Sequence, residues 1–126
     1  MGYHLVDPAD LDPLPDRPSE TRSISDAAGL ETLGLRVYHV DPGEDVPLTG
    51  YHYHDRQEEA LYVLDGRLHV ETADGEYVVA PGQCFAVEPG NPHRAHNPAD
   101  ADGAVDLLAV GAPSVSDGNP VDPPDP

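Results

Sequence analysis

The sequence predicts an all-β fold of the sandwich or barrel kind, on two observations. Short runs of alternating or continuous apolar residues recur along residues 33–110, each closed by Gly, Pro or Asp-Gly. Turn signals every eight to twelve residues, roughly, define about eight strands, and no segment of helical period and useful length interrupts them. Regular short strands with Gly/Pro punctuation favour a sandwich or barrel over any βαβ arrangement.

The strands follow in order. Leu33 to Val40 sets Leu33, Leu35 and Val37 against Gly34, Arg36 and Tyr38 and then meets Pro42-Gly43. Ser25 to Leu33, just before it, has room for one or two helical turns. Tyr51 to His54 alternates aromatic residues with His, and Glu59 to Leu64 is nearly continuous apolar sequence ending at Asp65-Gly66. Arg67 to Thr72 alternates again, and Asp74-Gly75 supplies a hairpin signal. Tyr77 to Ala80 stops at Pro81-Gly82, Cys84 to Val87 at Pro89-Gly90, and Ala104 to Val110 is the last strand. The ends differ from this middle: residues 1–29 read as an Asp/Pro-rich arm and 112–126 as a disordered tail, with too few apolar residues to offset their ordering entropy. One domain over residues 30–111 is expected.

Charge narrows the functions. The 126 residues carry 24 acidic side chains against six Arg and no Lys, a formal charge of −18. Such a surface repels nucleic acid and anionic membranes, since holding phosphates takes clustered Lys or Arg. A lysine-free, Asp-rich domain is the composition of a protein working in concentrated salt, and points to a halophilic archaeon. The single cysteine, Cys84, excludes an intramolecular disulfide, and its strand setting suggests a packed small hydrophobe. No apolar run approaches the ~20 residues that cross a bilayer, and the N-terminus lacks the basic start and apolar stretch of a secretory signal. A cytoplasmic location is the expectation.

Four candidate metal ligands stand at informative places. His52 and His54, two apart on a strand, project to one face. A short polar link leads to Glu58 and Glu59, and the turn Pro89-Gly90-Asn91-Pro92 delivers His93 at a strand start. Imidazole nitrogens with one carboxylate suit a divalent transition metal ion (Fe, Mn, Ni, Co, Cu or Zn) better than Ca²⁺ or Mg²⁺, which prefer oxygen shells. Glu58 and Glu59 compete for the carboxylate position, and alternation does not separate them, because both faces of Ala60–Leu64 are apolar. His96, three after His93, should face the other way. His39 and His69 read as half-exposed strand residues, and His4 lies in the arm. Tyr38, Tyr53 and Phe85 are candidates for the barrel mouth or for the core.

Residues 50–97 resemble the cupin family. His52-x-His54, four residues, Glu59, six residues and Gly66 is similar to the first cupin motif, and Gly82, Gly90, His93 and Asn97 are in register with the second. The spacing to Gly66 in that motif favours Glu59 over Glu58. Two departures stand out: Val46 replaces a Gly six residues before the first His, and Glu88 replaces a Pro. The resemblance implies a single-domain cupin β-barrel (a double-stranded β-helix or jelly roll) with one divalent metal ion on His52, His54, Glu59 and His93, and Asn97 as a structural hydrogen-bond partner nearby. It also implies a small-molecule ligand or substrate and a homodimer. The implied activity is that of a metal-dependent dioxygenase or isomerase; the other reading is a non-catalytic cupin that binds or senses a sugar-like ligand.

Overall fold

The computed structural model describes residues 2–47 and 49–123. Ten strands form two antiparallel five-stranded sheets, and a short α-helix connects the first two strands of one of them. The strands are β1 (Glu20–Ser23), β2 (Gly34–Val40), β3 (His52–His54), β4 (Glu58–Asp65) and β5 (Leu68–Thr72). They continue with β6 (Gly75–Val79), β7 (Cys84–Val87), β8 (His93–His96), β9 (Val105–Ala112) and β10 (Gly118–Pro120); helix α1 is Ile24–Ala28. Sheet A has the order β1-β2-β9-β4-β7 and sheet B the order β10-β3-β8-β5-β6. The all-β architecture expected from the strand spacing is therefore present, with the two sheets face to face.

The core fills the space between them. Val40, Leu61, Val63, Val105 and Leu107 of sheet A meet Leu68, Val70, Val79 and Ala95 of sheet B, all of them buried. Alternation along each strand accounts for this: on β4, Leu61 and Val63 point inward while Tyr62 and Leu64 are 42% and 54% exposed. Val46, in the loop before β3, also packs into the core, and its N–H donates to Ala95 O at 2.9 Å. The valine at that motif position is thus an apolar filler. Cys84, expected as a packed residue, is exposed, because the inward positions of β7 fall to Phe85 and Val87.

Two turns need glycine. Gly66 has φ +79, and a Cβ there would run into the carbonyl oxygen of Ala104. Gly90 has φ +83, and its N–H donates to His54 O at 2.7 Å, which fastens the turn before β8 onto β3. The β5–β6 hairpin turns one residue earlier than its Asp-Gly signal suggests. Thr72 pairs with Gly75, so Ala73 and Asp74 form the turn, and the Thr72 hydroxyl bridges it.

Both ends contribute more than the composition suggests. Within residues 1–29, β1 pairs with β2, Thr21 and Ser25 are buried, and α1 starts on the Ser23 hydroxyl and stops at Gly29 (φ +70). Within residues 112–126, β10 pairs with β3; residues 124–126 lie outside the described ones. The physical reason is that these segments are held by backbone pairing and small polar side chains, which hydropathy does not register. Asn97 is buried, and its side-chain amide donates to Val40 O at 3.0 Å and Gly103 O at 2.9 Å. It braces two loops and makes no hydrogen bond to the histidines of the site.

Candidate metal centre

The site forms where sheet B faces sheet A. His52 on β3 and His93 on β8 are directly opposed in register, and His54 lies two residues along β3 on the same face. Glu59 reaches them from β4 of the other sheet. One nitrogen from each of His52, His54 and His93 lies within 4.8 Å of the other two. His52 and His93 are buried, and His54 is half-buried.

Hydrogen bonds orient every ring. His52 Nδ1 donates to Gly50 O at 2.7 Å, His93 Nδ1 to Asn91 O at 2.9 Å and His54 Nδ1 to Asp117 Oδ1 at 2.9 Å. Each of these partners is an oxygen that only accepts, so each Nδ1 carries its proton and Nε2 is the nitrogen turned to the cluster. These nitrogens converge. His52 Nε2 and His54 Nε2 are 3.1 Å apart, and His93 Nε2 is 3.0 Å from Glu59 Oε1. Glu59 Oε2 is 3.8 Å from His54 Nε2. Ring nitrogens and a carboxylate gathered this closely need a proton or a metal cation among them; a proton on His93 Nε2 donated to Glu59 is one solution, and a metal ion is the other. A divalent metal, bonded at about 2.0–2.2 Å to N and O, fits such a donor set.

The electrostatics act differently on the separate groups. Burial pulls the His52 pKa down, away from the charged imidazolium and toward the ligating form. Burial also pulls on His93, but its hydrogen bond to Glu59 and the bond to Asn91 outweigh it and the net shift is upward. Burial raises Glu59, and the hydrogen bond from His93 with the three nearby rings more than reverses this, so the carboxylate is held ionised.

Glu59, and not Glu58, faces the histidines: Glu58 is exposed at the start of β4. His96 points away from the cluster, onto the outer face of sheet B opposite His69. A second set of ligand-type atoms, from Glu71, Glu76 and His96, gathers there. The Arg94 guanidinium already holds Glu71 at 2.8 Å, and His69 holds Glu76 at 2.8 Å. Of the aromatic candidates, Tyr38 lines the cavity above the site and Phe85 packs on the core against Tyr77.

Asp117 is the residue that sequence reasoning missed. Its Oδ2 accepts from the backbone N–H of Arg56 at 2.7 Å and of Gln57 at 3.1 Å, while Oδ1 holds His54. Burial would raise its pKa; these three hydrogen bonds more than offset that, and the carboxyl is held below its ordinary value. No local motif marks it, since it sits in a stretch that reads as disordered tail. Residues 114–118 line a cavity together with Arg36 and Tyr38 of β2, and the cavity has a volume of about 450 Å³.

A two-sheet β-barrel with this strand order, carrying inward His, His, Glu and His that could hold a metal ion, is of the double-stranded β-helix class. The sequence over residues 36–111 matches the cupin domain model, and the chain belongs to the cupin family. It is similar to a sugar phosphate isomerase of the cupin superfamily from Silicibacter pomeroyi, with 26% identity and TM-score 0.75 over 86% of this chain and 75% of that one. The polyketide cyclase RemF from Streptomyces resistomycificus shares the fold at 20% identity and TM-score 0.78, covering 95% and 86% of the two chains. Ectoine synthase from P. lautus does so at 15% identity and TM-score 0.71, covering 98% and 94%. No curated protein matches the chain in sequence. Among the described residues no helix is long and apolar enough to cross a membrane.

Proposed function

We propose that this cupin is a metal-dependent enzyme that isomerises a small, oxygen-rich molecule inside the barrel, with His52, His54, His93 and Glu59 holding one divalent transition metal ion. The observation that carries the reading is the convergence of one ring nitrogen from each of three His and an ionised carboxylate on the inner wall. A bound ion would supply Lewis acidity toward a carbonyl or hydroxyl oxygen of the substrate. The remaining work falls to the chain. Tyr38 has its pKa raised, chiefly by burial, so its phenol stays protonated and can donate to a substrate oxygen. Isomerisation is favoured over oxygen chemistry by the likeness to the sugar phosphate isomerase, the more similar in sequence of the three relatives above.

The assembly belongs to the same proposal: two copies pair through the outer face of sheet A, where Tyr62 and Leu64 stand exposed. A monomer mass by sedimentation equilibrium at micromolar concentration would remove that part.

The test is metal content followed by turnover. Protein purified in high salt without a metal-binding tag should hold about one transition metal ion per chain. Loaded with that ion, it should exchange a carbon-bound hydrogen of a hydroxy-carbonyl compound with D₂O, read by NMR, and lose the exchange on chelation. Tight ligand binding with no exchange would favour the non-catalytic cupin; a metal-free protein that cannot be loaded would defeat both readings.

A further inference from the structure

The cations of this chain are scarce, which makes their placement informative. The six Arg are the whole complement, against 24 acidic residues. Arg22 pairs with Glu20 at 2.7 Å, and Arg94 with Asp45 at 2.6 Å and Glu71 at 2.8 Å. Arg56 and Arg67 are exposed to solvent. Arg17 and Arg36 are different. Both are half-buried, both line the cavity that also exposes His52, His54 and Glu59, and among the described residues neither has a carboxylate partner.

Their positions are built. Arg36 and Tyr38 occupy alternate positions of β2, and both line the cavity. The Tyr38 phenol senses the charges of Arg36, Arg17 and Glu59. Arg17 comes from the segment before β1, which folds back so that Leu14 N–H donates to Thr21 O at 2.8 Å. Among the described residues its own guanidinium donates only to Pro15 O, at 3.2 Å. Leaving two half-buried guanidiniums without counter-charges costs free energy in any protein, and here carboxylates are abundant enough to have paired them. A guanidinium presents a fork of N–H donors that matches the oxygens of a phosphate or a carboxylate.

We infer that Arg17 and Arg36 form an anion cradle that grips the phosphate or carboxylate end of the substrate, while its other, oxygen-bearing end meets the histidine cluster. The inference rests on the cavity being the substrate site proposed above, and it adds the chemical class: a small mono-anion or dianion. A cavity of about 450 Å³ accommodates a ligand of small-metabolite size. The net charge of −18 sharpens the selection, since the long-range field opposes anions and local cations are needed to overcome it.

The test is anion binding by calorimetry at constant ionic strength, with inorganic phosphate and malonate as separate probes, on metal-free and Zn²⁺-loaded protein. Wild-type protein should bind at least one probe at a single site, and the tighter of the two identifies the anionic group. Arg36→Gln and Arg17→Gln should each weaken that binding by ~10-fold or more, with the circular dichroism spectrum and the Zn²⁺ stoichiometry unchanged. Arg67→Gln, a solvent-exposed control, should bind as wild type. His52→Ala should lose Zn²⁺ and still bind the probe when metal-free, so that failure of the metal reading and failure of the cradle give different results. Wild-type protein that binds neither probe, or Arg17 and Arg36 variants that bind as well as wild type, would overturn the inference.

Discussion

Asp117 gives the sharpest test of how the fold supports the site. Its carboxylate is nearly out of solvent, with 12% side-chain exposure, and accepts from three N–H groups: His54 Nδ1, Arg56 N and Gln57 N. Asp117→Asn keeps the shape but turns one acceptor oxygen into an NH₂ donor. Whichever way the amide faces, at least one N–H loses its acceptor. If that is His54, its ring can change tautomer or turn, and the Nε2 lone pair no longer aims at the cluster. Disturbing a carboxylate that orients a ligating His costs about 10–100-fold in metal affinity, which is about 1.4–2.7 kcal/mol. If the backbone N–H groups lose instead, the cost falls on stability, at about 1.5–3 kcal/mol for a hydrogen bond to a charged group. Zn²⁺ affinity by competition with a chromophoric chelator and the melting temperature of the metal-free protein separate the two. A variant unchanged in both would refute the claim that residues 112–120 support His54.

The remaining predictions are brief. His52→Ala and His93→Ala should each lose the tightly bound ion while keeping a β-type circular dichroism spectrum, and His96→Ala should keep it; tight binding of one ion in both of the first two would remove the site. Glu59→Gln should weaken metal binding by ~10-fold or more and Glu58→Gln should not, with the reverse result moving the ligand by one residue. The hydrogen bond from His39 to Asp106, at 2.7 Å, raises the His39 pKa above 6.5. A raised folded-state pKa stabilises below the unfolded value, and the gain is lost as pH rises through the folded value. The stability difference between wild type and Asp106→Asn should therefore shrink as pH rises above the ordinary His value of about 6.5, from a maximum below ~1 kcal/mol because both side chains are largely solvated; a difference that grows with pH would contradict the pairing. Finally, the charge of −18 should make the melting temperature rise markedly between low and molar KCl at saturating metal, since the Debye length falls from ~30 Å at 0.01 M to ~3 Å at 1 M. A melting temperature indifferent to KCl would count against a halophilic origin.

Much of the site was legible in the order of residues. A His-x-His pair must share one face of a strand, because alternation is a property of the extended backbone itself. The turn signals at Pro81-Gly82 and Pro89-Gly90 mark strand ends for equally local reasons, since glycine relieves the steric cost of a positive φ. Glu59 was different. With Leu61 and Val63 on one face and Tyr62 and Leu64 on the other, hydropathy is equal on both sides, and only the packing of β4 against β7 and β9 decides which face is inside.

What the sequence by itself determined is therefore what nearest-neighbour geometry controls: strand positions, turn sites, the shared face of His52 and His54, and the shortage of cations. Tertiary structure alone decided the rest. It opposed His93 to His52, 41 positions apart in the chain, and brought Asp117 from an unpromising tail to His54 across 63 residues. It also turned Arg36 and Tyr38 into the cavity and set Arg17 beside them. These placements depend on sheet order and on hydrogen bonds between distant backbone segments, which no local composition encodes; each donor and acceptor finds its partner only once the sheets have closed on each other.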